Sequence, residues 1–396
     1  MAQPRRARSS ADGDPAGALR AGDRAAVRSP ALDNLRVALI AAVIVIHGVM
    51  GYAGFIDGWP YADVQEVHLP DAVVIVVFAV FAPVGLFMMA LLFLIAGLLT
   101  VPSVDRKGPA RFARDRLLRL GIPFAMFALV VWPGLLYALY RPLGHTRRGY
   151  WAFFLGNFPD SGPLWFVGVL LLLSLGYAGL RGARRPGHPA APPLTAGGLL
   201  AVAAVVAATS FLIRLAYPYA GPTPLDLNEW QWPECIALFA IGVAGSRRGW
   251  LTAVPEQLRR SAGRTTAVAG AALVVFLLVD LAAGERQESF LGGAHWPALM
   301  VAGLEGVLTV FGSIWLLSVS QHRWNRSSSV SRALGRSSFA AFVVHPVVLI
   351  ALALVIRPLP AGSDVKATLV VVGGVTLSFG LGHLLLSRVP AVARVL

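Results

Sequence analysis

Ten apolar runs recur along the chain, separated by short polar stretches. They cover about residues 34–53, 73–100, 118–140, 162–181, 196–216, 232–246, 264–284, 296–319, 337–356 and 367–387. Most reach the roughly 20 residues that a helix needs to cross a bilayer. Lipid tolerates only helices or closed barrels, and these runs are too long and too continuous for barrel strands. The pattern therefore predicts an all-α polytopic membrane protein of about ten transmembrane helices. The sixth run is the shortest. The second is long and contains Pro83 and Gly85, which predict a kink or break there.

Charge orients these helices. The N-terminal stretch, the loops near 101–117, 182–195, 247–263 and 320–336, the tail and their flanking residues together hold 27 of the 34 Lys and Arg. That bias predicts both termini in the cytosol. The opposite side is acidic and aromatic, with Asp57, Trp59, Asp63, Glu66, His68 and Asp71 after the first run and Asp226, Glu229, Trp230 and Trp232 before the sixth. Residues 1–30 are Arg-rich with no apolar face, so they read as a disordered cytosolic segment rather than a signal peptide. Residues 31–390 form the membrane domain, and 391–396 a short cytosolic tail.

Composition narrows the class further. The chain is 56% hydrophobic and only 14% charged, well below the roughly one quarter charged of a soluble protein. The net charge of +14 reflects basic cytosolic loops, so no nucleic-acid partner is expected. A single cysteine, Cys235, excludes an intrachain disulfide framework and a cysteine-cluster metal site. An Ala, Arg, Gly and Pro bias with only two lysines points to a bacterial source, hence to a bacterial cell membrane.

The candidate chemistry begins in the first run. Arg36 and His47 are separated by ten uninterrupted apolar residues. Eleven helical steps place them on one face, about 16 Å apart along the axis. With Arg36 at the cytosolic surface, His47 lies just beyond the bilayer midplane. An imidazole there either faces a polar cavity as a functional group or packs between helices and bonds a carbonyl. His345, eight residues into the ninth run, is a second imidazole near mid-bilayer; His383 in the tenth lies nearer the cytosol. Glu305 sits about ten residues into the eighth run, Glu234 near the outer end of the sixth, and Asp280 near the outer end of the seventh. Buried imidazoles with a buried carboxylate suit proton handling, catalytic or transport. Arg106, Lys107, Arg111, Arg114, Arg116 and Arg119 crowd the loop after the second run. They can grip a phosphorylated ligand or serve only topology and anionic lipid. Trp165 reads most simply as an interfacial anchor. Cys235 as an acyl carrier is disfavoured by its apolar setting.

Four stretches together resemble the bacterial integral-membrane acyltransferases of acyltransferase family 3, the sugar O-acetylases and glucan succinyl-transfer proteins. They are Asp33-Asn34-Leu35-Arg36 with His47, Phe93-Leu94-Ile95-Ala96-Gly97, Arg116-Leu117-Leu118-Arg119 with Pro123, and Ser338 through His345-Pro346. Pro233 through Trp250 resembles a further stretch of the glucan-modifying branch. Ala96 stands where a Ser is usual.

The resemblance implies transfer of an acetyl- or succinyl-like group from cytosolic acyl-CoA to a hydroxyl of a carbohydrate-like acceptor on the outer side. Acyl-CoA is then a co-substrate, with no permanently bound cofactor and no metal. On that reading His47 is the general base, and Arg36 with Arg111, Arg114, Arg116 and Arg119 binds the donor. His345 and Glu305 orient the base or serve the acceptor. Two rivals fit the same residues: a proton-coupled exporter of a small or lipid-linked molecule, and a non-catalytic partner in an envelope assembly. Neither the oligomeric state nor the acyl group is legible.

Overall fold

The computed structural model describes residues 29–54, 60–183, 195–219, 221–283 and 288–395. The Arg-rich N-terminal segment, Asp57, Trp59 and most of the 182–195 loop lie outside them. The described residues are helical, with no strand among them. The long helices are α1 (Pro30–Ala53), α3 (Asp71–Lys107), α4 (Pro109–Tyr140), α5 (Trp165–Ala183), α6 (Ala196–Arg214), α8 (Glu256–Ala283), α9 (Trp296–Arg323), α10 (Ser329–Ile356) and α11 (Ser363–Arg388). A four-residue helix α2 (Pro60–Asp63) follows α1, and α7 (Trp232–Ser246) precedes α8. Nine spans among the described residues are long and apolar enough to cross a membrane.

The sixth run accounts for the difference from ten. It is helical and runs from the Arg214 end of the bundle to the Tyr177 end, so the alternation of sides is kept, but its 15 residues rise about 22 Å, too few to match a hydrocarbon core about 30 Å thick by themselves. It is held instead by close backbone contact with α3. A Cβ on Gly97 would lie 2.3 Å from the carbonyl oxygen of Phe239, and one on Gly242 would lie 2.3 Å from that of Leu94. The glycines thus face each other across the crossing, and van der Waals contact between bare backbones supplies the attraction that lipid does not.

Helix α3 runs unbroken through Pro83 and Gly85, where the sequence predicts a kink or break. Proline removes one backbone hydrogen bond, whereas unwinding a turn in lipid would strand several more. In α4 the prolines are met differently. Wider turns at Leu117–Gly121 and Phe127–Val131 precede Pro123 and Pro133 and absorb the misfit of each ring.

Helices α1, α10 and α11 pack together through small residues. A Cβ on Gly374 would come within 2.5 Å of Leu349, and one on Gly48 within 3.0 Å of Val371. At the basic end Asn34 donates to the carbonyls of Trp324 and Arg326, at 2.7 and 2.9 Å. These bonds fasten the start of α1 to the connection between α9 and α10.

Candidate functional site

The ninth apolar run builds one half of the site by a local rule. Pro346 has no N–H, so the Phe342 carbonyl one turn earlier in α10 loses its helical partner. The His345 Nδ1–H fills that vacancy by donating to the Phe342 oxygen. A carbonyl can only accept, so the proton of neutral His345 sits on Nδ1 and its Nε2 carries the lone pair.

His47 meets that lone pair. Its Nδ1 lies 2.9 Å from His345 Nε2, and by the same logic Nδ1–H of His47 donates. The lone pair of His47 is thereby assigned to Nε2. The two imidazoles, 298 residues apart in sequence, stack with ring centroids 5.1 Å apart. Tyr61 of α2 stacks near His47 at 5.2 Å. His345 is fully buried. Phe93, Phe166, Phe342 and His345 form an aromatic chain with successive centroid separations of 4.8, 5.8 and 5.3 Å. Trp165 is buried beside Phe166, so the pair opening α5 packs the core behind the histidines instead of anchoring at the interface.

A cleft runs beside His47, lined by Gly48, Gly51, Tyr61, Gln65, Leu349 and Val370 among others. It is too narrow as it stands to admit a water molecule. Its wall at the end opposite the basic loops is the segment 60–69. Tyr140 donates to Asp63 at 2.7 Å, and the Leu69 amide to the Tyr52 carbonyl at 2.8 Å. Lys366, itself buried, donates to Glu66 and, at 2.8 Å, to the Arg357 carbonyl. Burial alone would raise the Glu66 carboxyl; the hydrogen bond and charge of Lys366, with Arg357, hold it below the ordinary carboxylate range.

Arg36 does not reach the histidines. It pairs with Asp33, one helical turn away. At the same end Arg36 and Arg119 lie near enough to Arg116 for their charges to repel it. Arg116 covers the Phe112 ring at 4.9 Å. Lys107 pairs with Asp115, whose carboxylate also feels Arg119 and Arg111. Arg111, Arg114 and Arg119 are exposed. One surface thus gathers Arg36, Arg111, Arg116 and Arg119 with two acids, Asp33 and Asp115; Arg114 is exposed on the same helix.

Glu305 belongs to a different cluster. Arg214 of α6 makes two hydrogen bonds to it, one at 2.9 Å, and a third at 3.3 Å to Glu234 of α7. Arg214 is 3% exposed and both carboxylates are fully buried. Tyr219 and Trp230 cover the guanidinium at 5.1 and 5.8 Å. Cys235, next to Glu234, is fully buried. His383 is exposed on the outside of the bundle. No group of three or more His, Cys, Asp or Glu among the described residues could hold a metal ion.

Several participants escape a reading of the sequence alone. Arg214 looks like an ordinary charge at the end of a span, although an ionisable group inside an apolar run is itself a signal. Tyr61 and Gln65 sit in a stretch whose acidic and aromatic character masks them. The proline that follows His345 was the available clue to its tautomer.

Comparison with protein-family models matches residues 29–386 to the acyltransferase domain. No curated protein and no solved structure matches the chain.

Proposed function

Because the chain belongs to the acyltransferase-domain family, a donor, an acceptor and a base must meet in this fold, and we propose that they meet at His47. The observation that carries this is the His47–His345 hydrogen bond, with its direction set by the Phe342 carbonyl. It leaves the lone pair on the His47 nitrogen opposite the one that bonds His345.

In the proposed reaction that Nε2 takes the proton of an acceptor hydroxyl. The oxygen attacks the thioester carbonyl of an acyl-CoA, the C–S bond breaks, and the departing thiolate recovers the proton from the imidazolium. His345 Nε2 steadies that imidazolium through the Nδ1–H bond, as a carboxylate does in a catalytic triad. His345 is therefore a positioning residue.

The donor enters from the basic end, which the charge bias assigns to the cytosol together with both termini. Arg36, Arg116 and Arg119, with Arg111 and Arg114 beside them, bind its phosphates. The roughly 16 Å along α1 from Arg36 to His47 is left for the extended pantetheine arm. The acceptor, a carbohydrate-like hydroxyl compound, approaches from the opposite end through the cleft under α2. The cleft is narrow, so the acceptor displaces Tyr61 or its neighbours as it enters. Glu305 enters this scheme only as part of the Arg214 tie. The setting is a bacterial cell membrane, and neither a metal nor a resident cofactor takes part.

Two measurements test the assignment on purified protein. Coenzyme A and acetyl-CoA should raise the unfolding temperature by mass action, and Arg116→Ala/Arg119→Ala should abolish the rise. His47→Ala should lower acyl transfer by about 10² to 10⁴. Full transfer in His47→Ala would remove the base, and an unchanged donor shift in the arginine variant would remove the donor site.

A further inference from the structure

The wall of the His47 cleft contains a polar side chain, Gln65, that the reaction above leaves unused. Gln65 lines the cleft with His47 and Tyr61. Its Nε2 donates to the Tyr61 carbonyl at 3.1 Å. Since a carbonyl only accepts, this contact fixes which end of the amide is nitrogen. The other end, Oε1, is buried and has no hydrogen-bond partner among the described residues. A buried acceptor without a donor loses its hydration with nothing in return, so the position is costly unless something fills it.

The backbone around Gln65 is also fixed. Asp63 is held by Tyr140, Glu66 by Lys366 and Leu69 by Tyr52. The Gln65 amide itself bonds the Ala62 carbonyl at 2.9 Å. The acceptor oxygen is therefore presented on a braced segment, on the side from which the hydroxyl compound arrives.

We infer that Gln65 Oε1 accepts a hydrogen bond from a second hydroxyl of the acceptor, next to the one that His47 deprotonates. Gln65 is then the residue by which the enzyme distinguishes a vicinal diol from a lone alcohol. The inference rests on His47 being the base. The selectivity follows from the asymmetry of buried polar groups. An alcohol with one hydroxyl leaves the buried Oε1 unfilled, whereas a diol satisfies it.

The test uses the full chain in a detergent without sugar, labelled acetyl-CoA as donor, and cis-cyclohexane-1,2-diol, trans-cyclohexane-1,2-diol and cyclohexanol as probe acceptors. The wild type should transfer to at least one diol about tenfold or more faster than to cyclohexanol in kcat/KM. Gln65→Leu should bring the ratio close to one, mostly through the KM of the diol, and Gln65→Asn should restore part of it. A ratio is insensitive to the fraction of protein that folds, so a destabilised variant still reports. A wild-type ratio near one, or a ratio that survives Gln65→Leu, overturns the inference. So does transfer to none of the three probes. The base assignment fails separately: transfer that persists in His47→Ala discards His47 whatever the ratio shows.

Discussion

At the scale of single residues, a proline decides where a proton sits. Pro346 strips the Phe342 carbonyl of its helical donor, and His345 becomes the substitute. Pro346→Ala supplies the missing N–H and makes it compete with His345 Nδ1–H. Acyl transfer should then fall, on the order of tenfold, with little change in unfolding temperature. His345→Leu removes the acceptor for His47 Nδ1–H and should cost on the order of 10² in kcat, less than the loss seen when a triad histidine loses its tautomer control. His345→Gln keeps an acceptor oxygen and should recover part of that loss. Steady-state kinetics on the three variants separates tautomer control from simple packing. A second residue-scale effect lies in the polar loops. Burial, with the neighbouring Asp160 carboxylate, pushes Asp226 up to about 6 from 3.8. The folded state thus favours protonated Asp226. That contribution to stability is complete below about pH 4 and is lost as pH rises through about 6. Unfolding temperature should fall across that window, and Asp226→Asn should flatten the fall. Of these residues, His47 and Arg36 were legible because ionisable groups stand out in an apolar run. The pairing of His47 with His345 was not, because two residues 298 positions apart carry no trace of which helices become neighbours.

At the scale of helices, two kinds of contact hold the bundle, and they should fail differently. The crossing of α3 and α7 depends on bare backbone at Gly97 and Gly242. A methyl group there has no space, so Gly97→Ala should destabilise by about 1–3 kcal/mol, measured by unfolding in mixed detergent. Arg214 joins α6, α7 and α9 through two buried carboxylates. Arg214→Met leaves Glu234 and Glu305 facing each other without their cation, and should cost about 3–5 kcal/mol. Most helices could be read from apolar run length. The sixth run shows the limit of that rule. Hydropathy records that a segment is apolar, but whether 15 residues cross the membrane alone or pack against a longer neighbour depends on a glycine face supplied by α3. Likewise Arg214 reads as a loop charge until its carboxylates, 20 and 91 residues away, are placed beside it.

At the scale of the whole molecule, the basic residues gather at one end of the bundle and the His47 cleft faces the other. Cys235 is fully buried, so it adds little background to labelling by an impermeant maleimide. Ser328→Cys, between α9 and α10, should react only in inverted vesicles, and Ser363→Cys, at the start of α11, only in intact cells. The opposite result would reverse the orientation and exchange donor and acceptor sides. The cleft has one more implication. On the proposed mechanism the hydrogen of the acceptor hydroxyl leaves on the His47 imidazole and ends on the donor's thiol. Each turnover would then carry one hydrogen atom inward, from hydroxyl to thiol, as one acyl group moves outward. Neither compartment gains net charge, so the exchange is electrically silent. Reconstituted vesicles should acylate an external acceptor at the same rate whether or not the membrane potential is clamped to zero.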